Sequence, residues 1–314
     1  MSRKARLSLR AAAAVIVVAA VLVGLVAYLR TVNIQVLNPK GTIALEEFHL
    51  IVFAAALSLL VVVPVYVVAV AFAVRYREGR GNATYDPTLE GNTKVELVWW
   101  GLPTLLIVVL SVVTWVSSQT LDPYRSLGPS APTTTVQVVA LDWKWLFIYP
   151  DEHIASVNRL VIPEGAPVRL LITSDAPMNS LWIPQLAGQI YAMPGMQTQL
   201  NLKATALGSF TGLSANISGA GFSTMNFQAV SVSAAGFQAW VERARGSAEH
   251  LDAASYASLA QPSSNAPVSY YVDDDAQLFE TIVGSYHQGP SAAVGMTAAV
   301  AGGGRAGPAH EAAR

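Results

Sequence analysis

Two runs of apolar residues, 49–74 and 96–116, constrain this chain more than any other feature. Each is long enough to cross the ~30 Å hydrocarbon core of a bilayer, for which about 20 helical residues suffice. Lipid offers no hydrogen-bond partner, so a crossing segment has to satisfy its own backbone as an α-helix. Arg75, Arg77 and Arg80 follow the first run at once. Because basic residues collect on the cytoplasmic side, 75–94 is expected to be a cytoplasmic loop, with everything from residue 119 onward outside. The transmembrane helices are expected over 49–74 and 95–118. Pro64 and Pro103 lie inside them, and each removes a backbone bond that a neighbouring helix, side chain or water has to replace. Both prolines therefore point to packing against other protein.

A third apolar run, 11–29, follows Arg3, Lys4, Arg6 and Arg10. That order suits either a signal peptide or a signal anchor. Leu25-Val26-Ala27 offers a weak cleavage site and Tyr28, Leu29 and Arg30 interrupt it, so segment 1–30 is open to both readings. Residues 31–48 then form an outer segment. With 314 residues, 53% of them hydrophobic and 12% charged, the chain has room for a membrane part and one globular domain. A net charge of −1 provides no basic footprint for nucleic acid. The count of zero cysteines excludes disulfides, thiol catalysis and a lipid-modified cysteine.

After a linker at 119–132 the pattern changes to short alternating strands: Thr134-Thr135-Val136-Gln137-Val138-Val139-Ala140, Val168-Arg169-Leu170-Leu171-Ile172-Thr173 and Gln199-Leu200-Asn201-Leu202. Pro163-Glu164-Gly165, Met193-Pro194-Gly195 and Ala206-Leu207-Gly208 are the turns between them. Many short strands of this kind predict an antiparallel sandwich or barrel over 133–233. Residues 235–245 have helical spacing, and 269–286 carry aromatics beside three consecutive aspartates. Together these make an aromatic-rich extension over 234–290. The Ala/Gly-rich tail 291–314 is expected to be disordered.

One loop, from Gly212 to Met225, sets the chemistry. Ser214, Ser218, Phe222 and Met225 stand at intervals of four, four and three, which resembles the copper-binding loop of cytochrome c oxidase subunit II. In that family the positions hold Cys, Cys, His and Met, with a further His upstream. The upstream segment here is Met178-Asn179-Ser180-Leu181-Trp182-Ile183-Pro184, with Asn179 at the histidine position. A dinuclear copper centre needs bridging thiolates and imidazoles, which hydroxyls and amides replace poorly. Only Met225 remains, and a chain without cysteine cannot supply the thiolates from elsewhere.

A scaffold kept with its copper site emptied resembles subunit II of the bo-type ubiquinol oxidases. Leu37-Asn38-Pro39-Lys40-Gly41, the 96–103 segment and the 143–150 segment are similar to that family too; its lipoprotein cysteine is absent here. The resemblance implies a cupredoxin-like domain on the outer side of a bacterial plasma membrane and no redox centre or active site in this chain. Haems, the remaining copper and the quinol site would belong to partner subunit I, with subunits III and IV and membrane lipid as further neighbours. The complex would oxidise ubiquinol, reduce O2 and move protons outward. The rival is a membrane-anchored cupredoxin-like binding or structural module that acts outside an oxidase.

Individual residues follow from this. Glu96, in Asn92-Thr93-Lys94-Val95-Glu96, resembles the glutamate at the mouth of a proton channel of subunit I, and an ionisable group at a membrane boundary is a functional candidate. Asn216 stands where copper-bearing relatives have a magnesium-binding Glu, and its amide is a weaker, uncharged ligand. The aromatic stretch Asp142-Trp143-Lys144-Trp145-Leu146-Phe147-Ile148-Tyr149-Pro150 is expected to pack at a subunit interface. Met178, Met193, Met196 and Met225 are expected in the core. His49 and His153 lack a partner histidine at ligand spacing, and Asp273-Asp274-Asp275 is expected to be a solvated turn.

Overall fold

The computed structural model describes residues 34–76, 91–128 and 133–287, with isolated positions between 20 and 32. The 11–29 run, most of the 75–94 loop and the 291–314 tail lie outside the described residues. The chain divides into two units, Met1–Asp122 with Pro184–Leu186, and Pro123–Ile183 with Ala187–Arg314.

The first unit holds two long helices, α1 (Thr42–Arg75, 34 residues) and α2 (Thr93–Thr120, 28 residues). At ~1.5 Å per residue each is longer than a bilayer core is thick, and among the described residues no part of the most apolar window of either helix is buried. The first helix starts at Thr42, seven residues before the apolar run. Glu46 and Glu47 break the apolar pattern there without breaking the helix, so a hydropathy criterion stops short of its true start. The turn at 37–41 owes its glycine to a close approach: a Cβ on Gly41 would overlap the backbone of Leu186. Around it the Lys40 N–H donates to the Gln185 carbonyl (2.7 Å), and Gln185 Nε2 donates to the Asn38 carbonyl (3.0 Å). Pro64 and Pro103 sit within α1 and α2, as expected.

The second unit is a two-sheet sandwich. Its strands in chain order are β1 (Thr134–Leu141), β2 (Lys144–Tyr149), β3 (Ile154–Val157), β4 (Arg159–Pro163), β5 (Val168–Ser174) and β6 (Asn179–Ile183). Then come β7 (Ala187–Ala192), β8 (Thr198–Leu202), β9 (Gly208–Ser214), β10 (Asn226–Val232), helix α3 (Ala234–Arg245), β11 (His250–Leu251), α4 (Ala253–Leu259), β12 (Ser269–Asp273) and α5 (Leu278–Ser285). One sheet runs β11-β12-β3-β2-β1-β5-β8 and the other β4-β10-β9-β6-β7. The sandwich is mixed rather than antiparallel. β1 pairs parallel with β5 and β10 with β4, because the chain crosses between sheets after β3 and returns beside β1. Hydropathy alternation is the same in either direction, so it could not distinguish the two.

All six residues of β2 are buried. Trp145, Phe147 and Tyr149 face the sandwich interior, where the first two stack on Phe227 (5.9 and 5.0 Å) and Tyr149 meets Trp240 (5.0 Å). Leu146 and Ile148 face the other way, into a second core with Leu278, Phe279 and Ile282. The aromatics therefore serve the interior of this chain and not a subunit interface. Burial pushes the Tyr149 phenol far above its usual range; its hydroxyl donates to the Val161 carbonyl and accepts from the Val161 N–H (3.0 and 2.8 Å).

The 234–290 extension completes the larger sheet. β12 pairs antiparallel with β3, and Asp252 opens α4 with a capping box. Buried Lys144 donates to the Gln261 carbonyl (2.8 Å) and to Ser263 Oγ. Asp175 accepts from the hydroxyls of Tyr256 (2.6 Å) and Tyr286 (2.8 Å). The aspartates also differ from the expected solvated turn. Asp273 ends β12 and is buried, burial raising its carboxyl above the usual range, whereas Asp274 is exposed and Asp275 accepts from the Gln277 N–H. Truncating the second core tests its weight: Phe279→Ala should destabilise the sandwich by about 3–5 kcal/mol, read as a lowered midpoint in denaturant unfolding of the full chain.

Candidate functional site

The loop between β9 and β10 brings Asn179, Ser214 and Met225 together. Ser214 ends β9 and pairs with Leu181 of β6, which sets Asn179, at the start of β6, beside it. The Ser214 hydroxyl donates to Asn179 Oδ1 (2.9 Å), and both residues are buried. Asn179 Nδ2 in turn donates to the Pro177 carbonyl (2.7 Å). Asn216 Nδ2 donates to the Met178 carbonyl (2.9 Å). Across the base of the loop the Ser214 N–H donates to the Met225 carbonyl (3.2 Å), and the Ala215 N–H to that of Ser180 (2.9 Å).

The far side of the loop turns over Phe222–Thr224 as a short 3₁₀ segment. Trp143 supports it from below. Its indole Nε1 donates to the Ser218 carbonyl (3.3 Å), and a Cβ on Gly221 would overlap its ring. Trp143 itself adopts φ 64°, an uncommon conformation for a bulky residue, which turns the chain between β1 and β2 and swings the indole under the loop. Ser218 and Phe222 are half-buried, and Ser218 Oγ is shielded without a partner.

This donor set does not fit copper. Hydroxyl, amide and phenyl groups stand where thiolates and imidazoles are needed, and the two buried polar residues already satisfy each other. No group of three or more His, Cys, Asp or Glu suited to a metal occurs among the described residues. The methionines do not form the expected core set either: Met225 is buried, but Met178 is 41% and Met196 52% exposed. They sit on the segments that border β6 and β8, where a thioether packs only from one side. His49 is exposed and 4.0 Å from Glu46. His153 is also exposed, and its carbonyl accepts the Asp273 N–H.

Glu96 lies in the first turn of α2. Asn92 caps that turn, its side chain accepting from the N–H groups of Lys94 (3.1 Å) and Val95 (3.3 Å). The carboxylate is exposed and lies close to Gly91. A negative charge at a helix N-terminus is favourable in its own right.

Two family profiles match: cytochrome c oxidase subunit II, periplasmic domain, over residues 151–232, and the COX aromatic rich motif over 245–289. A cytochrome bo(3) ubiquinol oxidase subunit 2 of Pseudomonas putida is 47% identical over 254 residues, 81% of each chain. The chain belongs to the ubiquinol oxidase subunit 2 family. Another relative, ubiquinol oxidase subunit 2 of Acetobacter aceti, is 45% identical over 259 residues, 82% of this chain and 84% of its own. The periplasmic domain of subunit II of a Bradyrhizobium japonicum cytochrome oxidase, a crystal structure, covers 37% of this chain and 94% of its own at 24% identity and a TM-score of 0.35. The sandwich is the cupredoxin-like domain of the chain and holds the periplasmic-domain match, and the aromatic-rich motif is the segment that supplies β11, α4, β12 and α5.

The sequence pointed to the loop but not to its support from Trp143, nor to the Tyr256–Asp175–Tyr286 tie. Glycines at 219 and 221 were the available signal for the first, since they leave room for a large side chain; nothing in the spacing announced the second. Removing the internal bond should be costly at one serine only. Ser214→Ala leaves Asn179 Oδ1 buried without a donor and should lower stability by about 1–3 kcal/mol, whereas Ser218→Ala, whose hydroxyl has no partner, should stay near zero in thermal unfolding of the full chain.

Proposed function

We propose that the chain is subunit II of a proton-pumping ubiquinol oxidase in a bacterial plasma membrane. The complex takes two electrons from each ubiquinol, releasing its two protons, and four electrons from two ubiquinols, together with four protons, reduce one O2 to two waters. The reading is carried by 47% identity over 81% of the chain to a ubiquinol oxidase subunit 2, joined to a loop whose residues hold each other instead of copper.

In this reading the chain has no redox centre of its own. Ubiquinol is soluble in lipid and reaches subunit I, with its haems and copper, from within the bilayer, so no relay from a soluble cytochrome is needed. The two helices, exposed along their apolar lengths, brace subunit I, with subunits III and IV and lipid as further neighbours; the prolines in α1 and α2 find their replacement partners there. The cupredoxin-like domain lies on the outer face.

Glu96 is proposed to collect protons at the cytoplasmic end of α2. An exposed carboxylate at a helix start exchanges protons with bulk water and hands them to an adjacent channel mouth. Glu96→Gln is expected to slow turnover several-fold while leaving haem content and subunit stoichiometry unchanged. Full turnover in an intact complex would assign the residue to the helix start alone.

The complex, purified through this chain in mild detergent, should consume O2 with ubiquinol and not with reduced cytochrome c. Ser214→Ala with Ser218→Ala should leave that rate per haem intact. Purification of the chain free of haem would overturn the subunit assignment.

A further inference from the structure

Outside the loop, a cleft with uncompensated charge lies among the described residues. It has a volume of about 150 Å3 and lies between α3 and the outer face of β4 and β10. Val161, Val230 and Val232 form its floor, Trp240 and Tyr270 an aromatic wall, and Arg159 and Arg243 contribute to the lining. The geometry follows from register. Val230 pairs with Val161 and Gln228 with Arg159, so Arg159, Val161, Val230 and Val232 share one face of the sheet, while Phe227 and Ala229 fill the interior.

No carboxylate lines this cleft, and among the described residues neither arginine has an ion-pair partner, whereas the neighbouring Arg245 is paired with Glu242 (3.0 Å). Arg159 Nη1 donates to the Tyr270 hydroxyl (3.0 Å), which holds its guanidinium in place; Arg243 Nε is used by the Ala239 carbonyl (3.2 Å), leaving its terminal nitrogens. Two further donors of the lining residues, Arg159 Nε and the indole Nε1 of Trp240, are shielded from solvent with no acceptor. Trp240 is only 7% exposed. Those two donors are out of reach of a ligand in the cleft, but the half-buried guanidinium of Arg159 without a counter-charge is costly.

We infer that this cleft binds a phosphate-type oxyanion. Its volume accommodates one such group, the terminal guanidinium nitrogens that Arg159 and Arg243 leave uncommitted can donate to phosphate oxygens, and the valine floor accepts an apolar substituent. Tyr270 belongs to the aromatic-rich motif and Arg159 to the cupredoxin-like domain, so an anion bound there ties the two segments together. The same phosphate chemistry comes from a lipid head group or from a soluble phosphate.

Calorimetric titration of the full chain in its detergent-purified complex, at fixed ionic strength with chloride as reference, distinguishes these sources. One arm uses inorganic phosphate and the other a short-chain phosphatidylglycerol. Saturable binding of either supports the site; tighter binding of the lipid assigns the head group, and equal binding assigns the free anion. Arg159→Gln and Arg243→Gln are each expected to weaken binding about tenfold or more, with Arg243→Lys retaining part of it. Arg243 is exposed, so its variant keeps the test valid if loss of Arg159 disturbs folding. Absence of saturable binding for both probes, or binding indifferent to Arg243→Gln, overturns the proposal.

Discussion

A strand buried on both faces governs the outer domain. β2 has no solvent side, so the inward aromatics demand a second sheet and the outward Leu146 and Ile148 demand a second cover. The aromatic-rich motif supplies that cover from the far end of the chain. Its helix α5 delivers Leu278, Phe279 and Ile282, and β12 pairs with β3, the strand next to β2. The polar ties that hold it, from buried Lys144 and from Asp175 to two tyrosines, lie around this apolar contact. The bonds of Lys144 and Tyr256 are half-buried, whereas that of Tyr286 is exposed, so the first two contribute more to holding the layers together.

The loop at 215–225 is closed by its own residues and their neighbours. A bound ion would draw strand ends together by coordination. Here the hydroxyl of Ser214 and the amide of Asn179 do so by a hydrogen bond of 2.9 Å, with the backbone of Met225 and Ser180 closing the base. Trp143 fills the space beneath. The exchange replaces charged, soft donors by neutral groups that satisfy one another, which allows the site to be buried without a counter-ion.

The membrane part and the cleft follow the same logic of unsatisfied surface. Among the described residues, the apolar lengths of α1 and α2 are left unburied, and Arg159 and Arg243 find no counter-charge. In each case an incomplete environment points to a complement: an apolar one for the first, and for the second the oxyanion proposed above.

The existence of two long apolar helices and the strands expected at 134–140, 168–173 and 199–202 were legible in the sequence because each depends on local composition or short-range period, and the lack of thiolates follows from a count of zero cysteines. Glycine and proline marked the turns for the same reason, a conformational limit that belongs to the residue itself. The start of α1 at Thr42, the parallel pairing of β1 with β5 and the burial of Asp273 were not legible, since hydropathy is blind to a helix that leaves the apolar zone and to the direction of a partner strand. The roles of the aromatic stretch and of the methionines were likewise decided by which layer came to lie against them. Local chemistry determined what each segment of this chain could be; only tertiary structure decided what faced Asn179, Trp143 and Arg159, because contacts between residues far apart in sequence carry no periodic signal.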